Sequence, residues 1–371
     1  MIPIIEFVLG IAVLVYSAEK LIGHLVGVAS RWAISLFLIA VVFTGIEFDD
    51  LAFGVVLNVE GLEQVALGTV IGTTIAMTGI VLALAALVAP CRVDVPKDYL
   101  ALFVVAPVVL FALALTGVLT PLLGVVLVLL FVAFVGWIAY REYASRRPVF
   151  RNAELYEQLE KVGADGTTIT LPHDGGEADP AGGDGSADRA GGRGGFDLPD
   201  DLRIDQGFLK ARRRSPWGGL ALAVLALVGL VVGAFVAARG TDGILDTFEI
   251  TGTVFGVTIA TLALSLEDIF LTVEPARRGA PEIGVANVVG SVVFSATGKI
   301  GIILLAGGTI TVDRGVLSWH LPVLLVMTLL AAAFLATGRL RRWHGAVLLA
   351  LYVAYFVVSL VLFGGVPLDS D

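Results

Sequence analysis

"EFDDLAFGVVLNVEGLEQVALGTVIGTTIAM", residues 47–77, and "SLEDIFLTVEPARRGAPEIGVANVVGSVVFS", residues 265–295, align without a gap. Asp50 matches Asp268, Gly61 matches Gly279, Val70 matches Val288 and Gly72 matches Gly290, all at one offset of 218 residues. The chain therefore holds two copies of a unit made of two apolar stretches. Each copy carries carboxylates within its apolar run: Glu47, Asp49 and Asp50 in the first, Glu267 and Asp268 in the second. Carboxylates are costly in hydrocarbon and are kept there for a function.

The surroundings of the repeat fix the class. The chain has 371 residues, 57% of them hydrophobic and 15% charged, with a mean hydropathy of +0.93. That is too apolar for a soluble domain of this length and points to an integral membrane protein embedded in a lipid bilayer. A net charge of -9 excludes the basic footprint of a nucleic-acid binder. The single cysteine, Cys91, excludes an intrachain disulfide and a cysteine-based metal cluster, and reads as a small residue at a helix end. The start, "MIPIIEFVLG", carries Glu6 instead of a basic n-region and reads as a retained first helix.

Apolar runs cover roughly 4–29, 32–57, 64–89, 99–119 and 121–141, then 217–238, 250–274, 282–306, 316–337 and 343–363. Each is long enough to span a ~30 Å hydrocarbon core. The expectation is an all-α membrane protein of ten helices, five on each side of a polar gap. Five helices per half force the second copy to enter the membrane in the opposite sense, so the halves are inverted-topology repeats. The units are 1–141, with the first repeat at about 40–80, and 217–371, with the second at about 258–298. Between them 142–216 is rich in Gly and Asp, poor in large apolar residues and expected to be disordered. Trp32, Trp137, Tyr140, Trp217, Trp319 and Trp343 fall at expected helix ends, as an interfacial belt requires. Basic residues cluster on one side: Arg31, Arg92, Lys97, Arg141, Arg212, Arg277, Arg339 and their neighbours, against Arg239 and Arg314 on the other. The bias puts the central loop in the cytoplasm and both termini outside, across a plasma membrane. Asp242, Asp246 and Glu249 then fall in an external loop.

Helical spacing gathers the polar groups. Glu47 and Asp50 are three apart, as are Ser265 and Asp268; Thr69 and Thr73 are four apart. Asn287, Ser291, Ser295 and Lys299 form an i, i+4 stripe. Carboxylates facing hydroxyls and amides make an all-oxygen cavity, which suits Ca2+, Na+ or Mg2+. Gly68, Gly72 and Gly290 let the helices approach closely. Neither Asp50 nor Asp268 has a Lys or Arg near it on its own helix. Asp49 and Glu267 lie about 100° around the helix, facing either the cavity or a vestibule.

The motifs "GIEFDD" with "GTVIGTTIA", and "ALSLED" with "ANVVGSVVF", resemble the two α-repeats of the cation/Ca2+ antiporter superfamily, the sodium/calcium exchangers in particular. Those repeats run roughly G-T-S-x-P-E and then G-N-x-x-G-S-N. The resemblance implies that Asp50 and Asp268 stand for the paired ion-binding glutamates. Glu47 and Ser265 take the hydroxyl position one turn earlier, and Thr73 and Ser291 the ligating serines. Met77 and Ser295 fall where the family has Asn or Asp, while Thr69 and Asn287 line the site's edge. The family's helix-breaking proline is replaced by Asp49 and Glu267, so an unwound backbone is not implied here. The resemblance implies a transporter without a cofactor, exchanging Ca2+ for Na+ or H+ at the bilayer midplane.

Lys299, whose repeat counterpart is Val81, has two readings. Its ammonium either projects into the site and stands in for a monovalent cation, or snorkels to the outer surface. Other classes remain as rivals. An intramembrane aspartyl protease would use Asp50 and Asp268 as a dyad, and a passive channel would move cations without exchange. No P-loop motif supports ATP drive.

Overall fold

In hydrocarbon every backbone N–H and C=O must find its partner inside the spanning segment, so apolar runs of this length become helices. The computed structural model describes residues 2–29, 46–93, 95–145, 216–277 and 281–363. Its helices are α1 Ile2–Ala29, α2 Phe48–Val59, α3 Glu63–Val88, α4 Lys97–Ala114 and α5 Pro121–Ser145 in the first half. The second half has α6 Pro216–Phe248, α7 Gly252–Arg277, α8 over 281–307, α9 Val316–Ala336 and α10 Arg342–Phe363. Nine helices among the described residues are long and apolar enough to cross a membrane. The remaining one, α2, has 12 residues, and the earlier part of its expected run lies outside the described residues. Most of the loop expected at 142–216 also lies outside them, as do Arg31, Trp32 and Arg212.

Several boundaries differ from those expected. α6 continues to Phe248, so Asp242 and Asp246 belong to its last turns and not to a loop; Glu249 follows, with φ 51°. The sequence GTDGILDTF keeps enough apolar residues to continue the helical face, which the charged positions concealed. The run at 99–119 ends at Ala114, where Gly117 takes φ +79°. The run at 32–57 is not one unbroken helix. Glu47 leaves the helical region, at φ −73° and ψ 86°, and α2 starts just after it.

The two halves pack as equivalents. α5 lies against the Ile300–Gly307 end of α8, as α10 lies against the Leu82–Val88 end of α3. α2 also meets that end of α8, as α7 meets that end of α3. Two short antiparallel ribbons repeat the relation. β1 (Cys91–Arg92) pairs with β4 (Arg339–Leu340), and β2 (Val118–Leu119) with β3 (Ile310–Thr311). β1 and β3 both follow the third helix of their half, and β2 and β4 both follow the fourth. Each ribbon therefore joins corresponding loops of the two halves with their roles exchanged.

α3 and α8 form the centre. In each the membrane-crossing stretch is 89% buried, against 22% for α5 and α10. Close contact of α3 with α7 requires glycine: a Cβ on Gly72 would sit 2.1 Å from Thr261 Oγ1 and 2.6 Å from Val257 Cα. One on Gly68 would sit 2.5 Å from the Thr253 carbonyl.

Candidate cation site

The acids enter the protein at a helix start. Glu47 caps α2, and its carbonyl accepts the first helical bond, from Leu51 N at 2.9 Å. The first-turn N–H groups and the positive end of the helix dipole favour the carboxylates of Glu47, Asp49 and Asp50 there. All three are buried. This break forms without the family's proline, and only on one side: α7 runs helically through Ser265, the counterpart of Glu47.

The facing helices supply the rest of the site. α3 has a π turn at Met77–Val81 and α8 has one at Ser295–Lys299, related by the same 218-residue offset as the sequence repeat. An α-helical i, i+4 series drifts ~40° per step, and one wider turn resets that drift. Ser295 and Lys299 are thereby kept on the stripe begun by Asn287 and Ser291. Gly79 and Gly298 lie within these turns, in tight contact with Tyr352 and with Phe131 and Phe294.

Lys299 is buried to 1% exposure and its side chain reaches the site. Its ammonium donates to Glu47 Oε2, to Asp50 Oδ2 at 2.7 Å and to Thr73 Oγ1 at 3.2 Å. Ser295 Oγ also donates to Glu47 Oε2, at 2.9 Å. The counter-charge to Asp50 thus comes from α8 and not from the acid's own helix.

The second repeat brings Asp268, Ser265, Ser291 and Asn287 into the same interior. Asp268 is buried and within electrostatic range of Glu47, Asp49, Asp50 and Glu267. Ser265 Oγ and Ser291 Oγ are buried without a hydrogen-bond partner, as are Asn287 Oδ1, Glu47 Oε1 and Glu267 Oε2. Buried polar atoms are rarely left unsatisfied, so these oxygens are candidates for a cation. Asn287 Nδ2 donates to Thr272 Oγ1 at 3.3 Å, fastening α8 to α7. Thr69 spends its hydroxyl proton on its own helix, on Val65 O at 2.6 Å. Met77 is fully buried and offers only a thioether. Among the described residues no group of three or more His, Cys, Asp or Glu side chains is placed to hold a metal ion by itself. The oxygens are a mixed set drawn from carboxylates, hydroxyls and an amide.

Comparison with known proteins agrees with this architecture. The family model of the sodium/calcium exchanger protein matches residues 2–140 and 218–361. The chain is 25% identical over 361 residues to the sodium/calcium exchanger MaX1 of Methanosarcina acetivorans, covering 94% of this chain and 96% of that one. It is 23% identical over 303 residues to the inner membrane protein YrbG of Escherichia coli, covering 80% and 77%. A solved structure of the sodium-calcium exchanger NCX_Mj, soaked with Na+ and Sr2+, superposes with a TM-score of 0.56 at 19% identity, covering 96% of this chain and 99% of that chain.

Proposed function

The chain belongs to the sodium/calcium exchanger family, cation antiporters and not enzymes, and from that membership we propose that it exchanges Ca2+ for Na+ by alternating access at the site between its repeats. The observation that carries the reading is the buried set of oxygens from both repeats, several without protein partners, around Glu47, Asp50 and Asp268. Oxygen donors of this kind suit hard cations. Asp50, Asp268, Glu47, Ser265, Ser291 and Thr73 frame the cation site we assign, with Ser295, Asn287 and Thr69 at the margin. Met77 shapes the cavity, and Asp49 and Glu267 border it.

The physics of exchange follows from charge. A site with surplus carboxylates is penalised in a low-dielectric interior unless a cation accompanies it. The protein crosses between inward- and outward-facing forms with the site neutralised, so ions that compete for the same oxygens cross in alternation. We place the protein in the plasma membrane with its termini outside and residues 142–216 in the cytoplasm, on the arginine bias.

The test is a flux assay in proteoliposomes. Radiolabelled Ca2+ should accumulate only against an outward Na+ gradient, and at low Ca2+ Asp50→Asn or Asp268→Asn should suppress it. Uptake that ignores Na+ and follows a pH gradient would assign proton exchange. Uptake needing no counter-ion would assign a channel.

A further inference from the structure

The repeat relates two pockets, and only one of them carries its own cation. The first is framed by Glu47, Asp50 and Thr73, and Lys299 donates to all three. The 218-residue offset carries these partners to Ser265, Asp268 and Ser291, and carries Lys299 to Val81. Val81 is fully buried and ends a π turn equivalent to the one that ends at Lys299. That turn packs on both α7 and α8. In the second pocket Ser265 Oγ and Ser291 Oγ have no partner, and among the described residues no ion pair involves Asp268. The π turns match while the charges do not.

We propose that Lys299 is a resident cation. Its ammonium holds the first-repeat pocket permanently, and the transported ion is taken by the repeat-related pocket of Ser265, Asp268 and Ser291. Each divalent ion is then exchanged for one monovalent ion fewer than the same cavity would take without the lysine. This rests on the antiport reading above and adds a count to it.

The count follows from the side chains. Glu47, Asp50 and Asp268 contribute three carboxylates, and the ammonium offsets one. The two remaining charges match one divalent ion or two monovalent ions. Exchange is therefore electroneutral, and a membrane potential does not drive it. A lysine in this place also blocks the first pocket sterically, because an ion cannot share Glu47 Oε2, Asp50 Oδ2 and Thr73 Oγ1 with a nitrogen already bonded to them. Asp49 and Glu267, which border the cavity, are not among the acids that frame the site and are left out of this count.

The experiment measures the coupling ratio in proteoliposomes. Net Ca2+ flux is nulled at a series of Na+ gradients while a K+ ionophore clamps the membrane potential. The wild type should null at two Na+ per Ca2+, independent of potential. Lys299→Met should null at three and become sensitive to potential, and Lys299→Arg should keep the wild-type ratio. A ratio in Lys299→Met equal to that of the wild type overturns the proposal, as does a wild-type ratio of three or more. If Lys299→Met does not assemble, the wild-type and Lys299→Arg ratios decide alone. A wild type with no counter-ion-coupled Ca2+ flux would overturn the antiport reading and this proposal with it. Coupled flux with an unaltered ratio overturns this proposal only.

Discussion

Replacing Lys299 with Met should make the protein's stability depend on cations in a way the wild type's does not. Glu47 Oε2 and Asp50 Oδ2 both bond one nitrogen, which holds the two oxygens within ~6 Å of each other. Without the ammonium, two like charges at that separation repel by ~3 kcal/mol at an effective dielectric of 20. Removing one partner of a buried ion pair generally costs ~3–5 kcal/mol, so a loss of this order is expected in choline buffer. Thr73 loses a weaker contact as well. A cation that enters the emptied position restores stability by linkage, by ~2.7 kcal/mol at a hundred times its Kd. The assay is thermal or chemical unfolding of purified protein in detergent, in choline, Na+ and Ca2+. The variant should be clearly less stable than the wild type in choline and should recover most of the difference in saturating Na+ or Ca2+. A variant as stable as the wild type in choline, or one that gains no more from cations than the wild type does, would refute the reasoning.

Further outcomes follow from other contacts. Asp268→Asn should weaken half-saturating Ca2+ in the flux assay by about 10- to 100-fold, the scale of one charge-assisted contact; an unchanged value would remove Asp268 from the ligands. Gly72→Ala forces a methyl to 2.1 Å from Thr261 Oγ1 and should cost ~1–3 kcal/mol in unfolding measurements, with reduced flux. Gly136→Ala, where nothing lies within 4 Å, should be neutral or stabilising by ~0.5–1 kcal/mol. Asn58→Ala deletes the bond from Nδ2 to Ile303 O at 3.0 Å and should cost ~0.5–1.5 kcal/mol.

The duplicated segments and their hydrophobic runs made the helical architecture legible, because period and length are properties of the sequence itself. Glycines 68 and 72 were legible for the same reason, since small residues at fixed spacing announce a close crossing. The π turns were not. A single wide turn leaves no mark in a pattern of apolar residues, and it reveals itself only when the same five positions of both repeats adopt it. The start of α2 at Glu47 was hidden too, because the proline that would signal it is absent. Lys299 shows the limit most clearly. Its long side chain has two physically sensible destinations from one backbone position, and only the facing oxygens of α2 and α3 select between them. Asp242 and Asp246 misled in the opposite way, since charges near a helix end look like a loop even where the backbone continues to Phe248.

The two ribbons have a consequence for how the chain is made. β1 and β2 belong to the half that leaves the ribosome first, yet their partners β4 and β3 belong to the half that follows. Until the later half is inserted, the earlier one waits with two unpaired strand edges and with Glu47 and Asp50 lacking the ammonium that lies against them. Neither half is a finished piece. Severing the chain within 146–215 and producing both fragments in one cell should yield a working assembly, whereas either fragment by itself should be degraded.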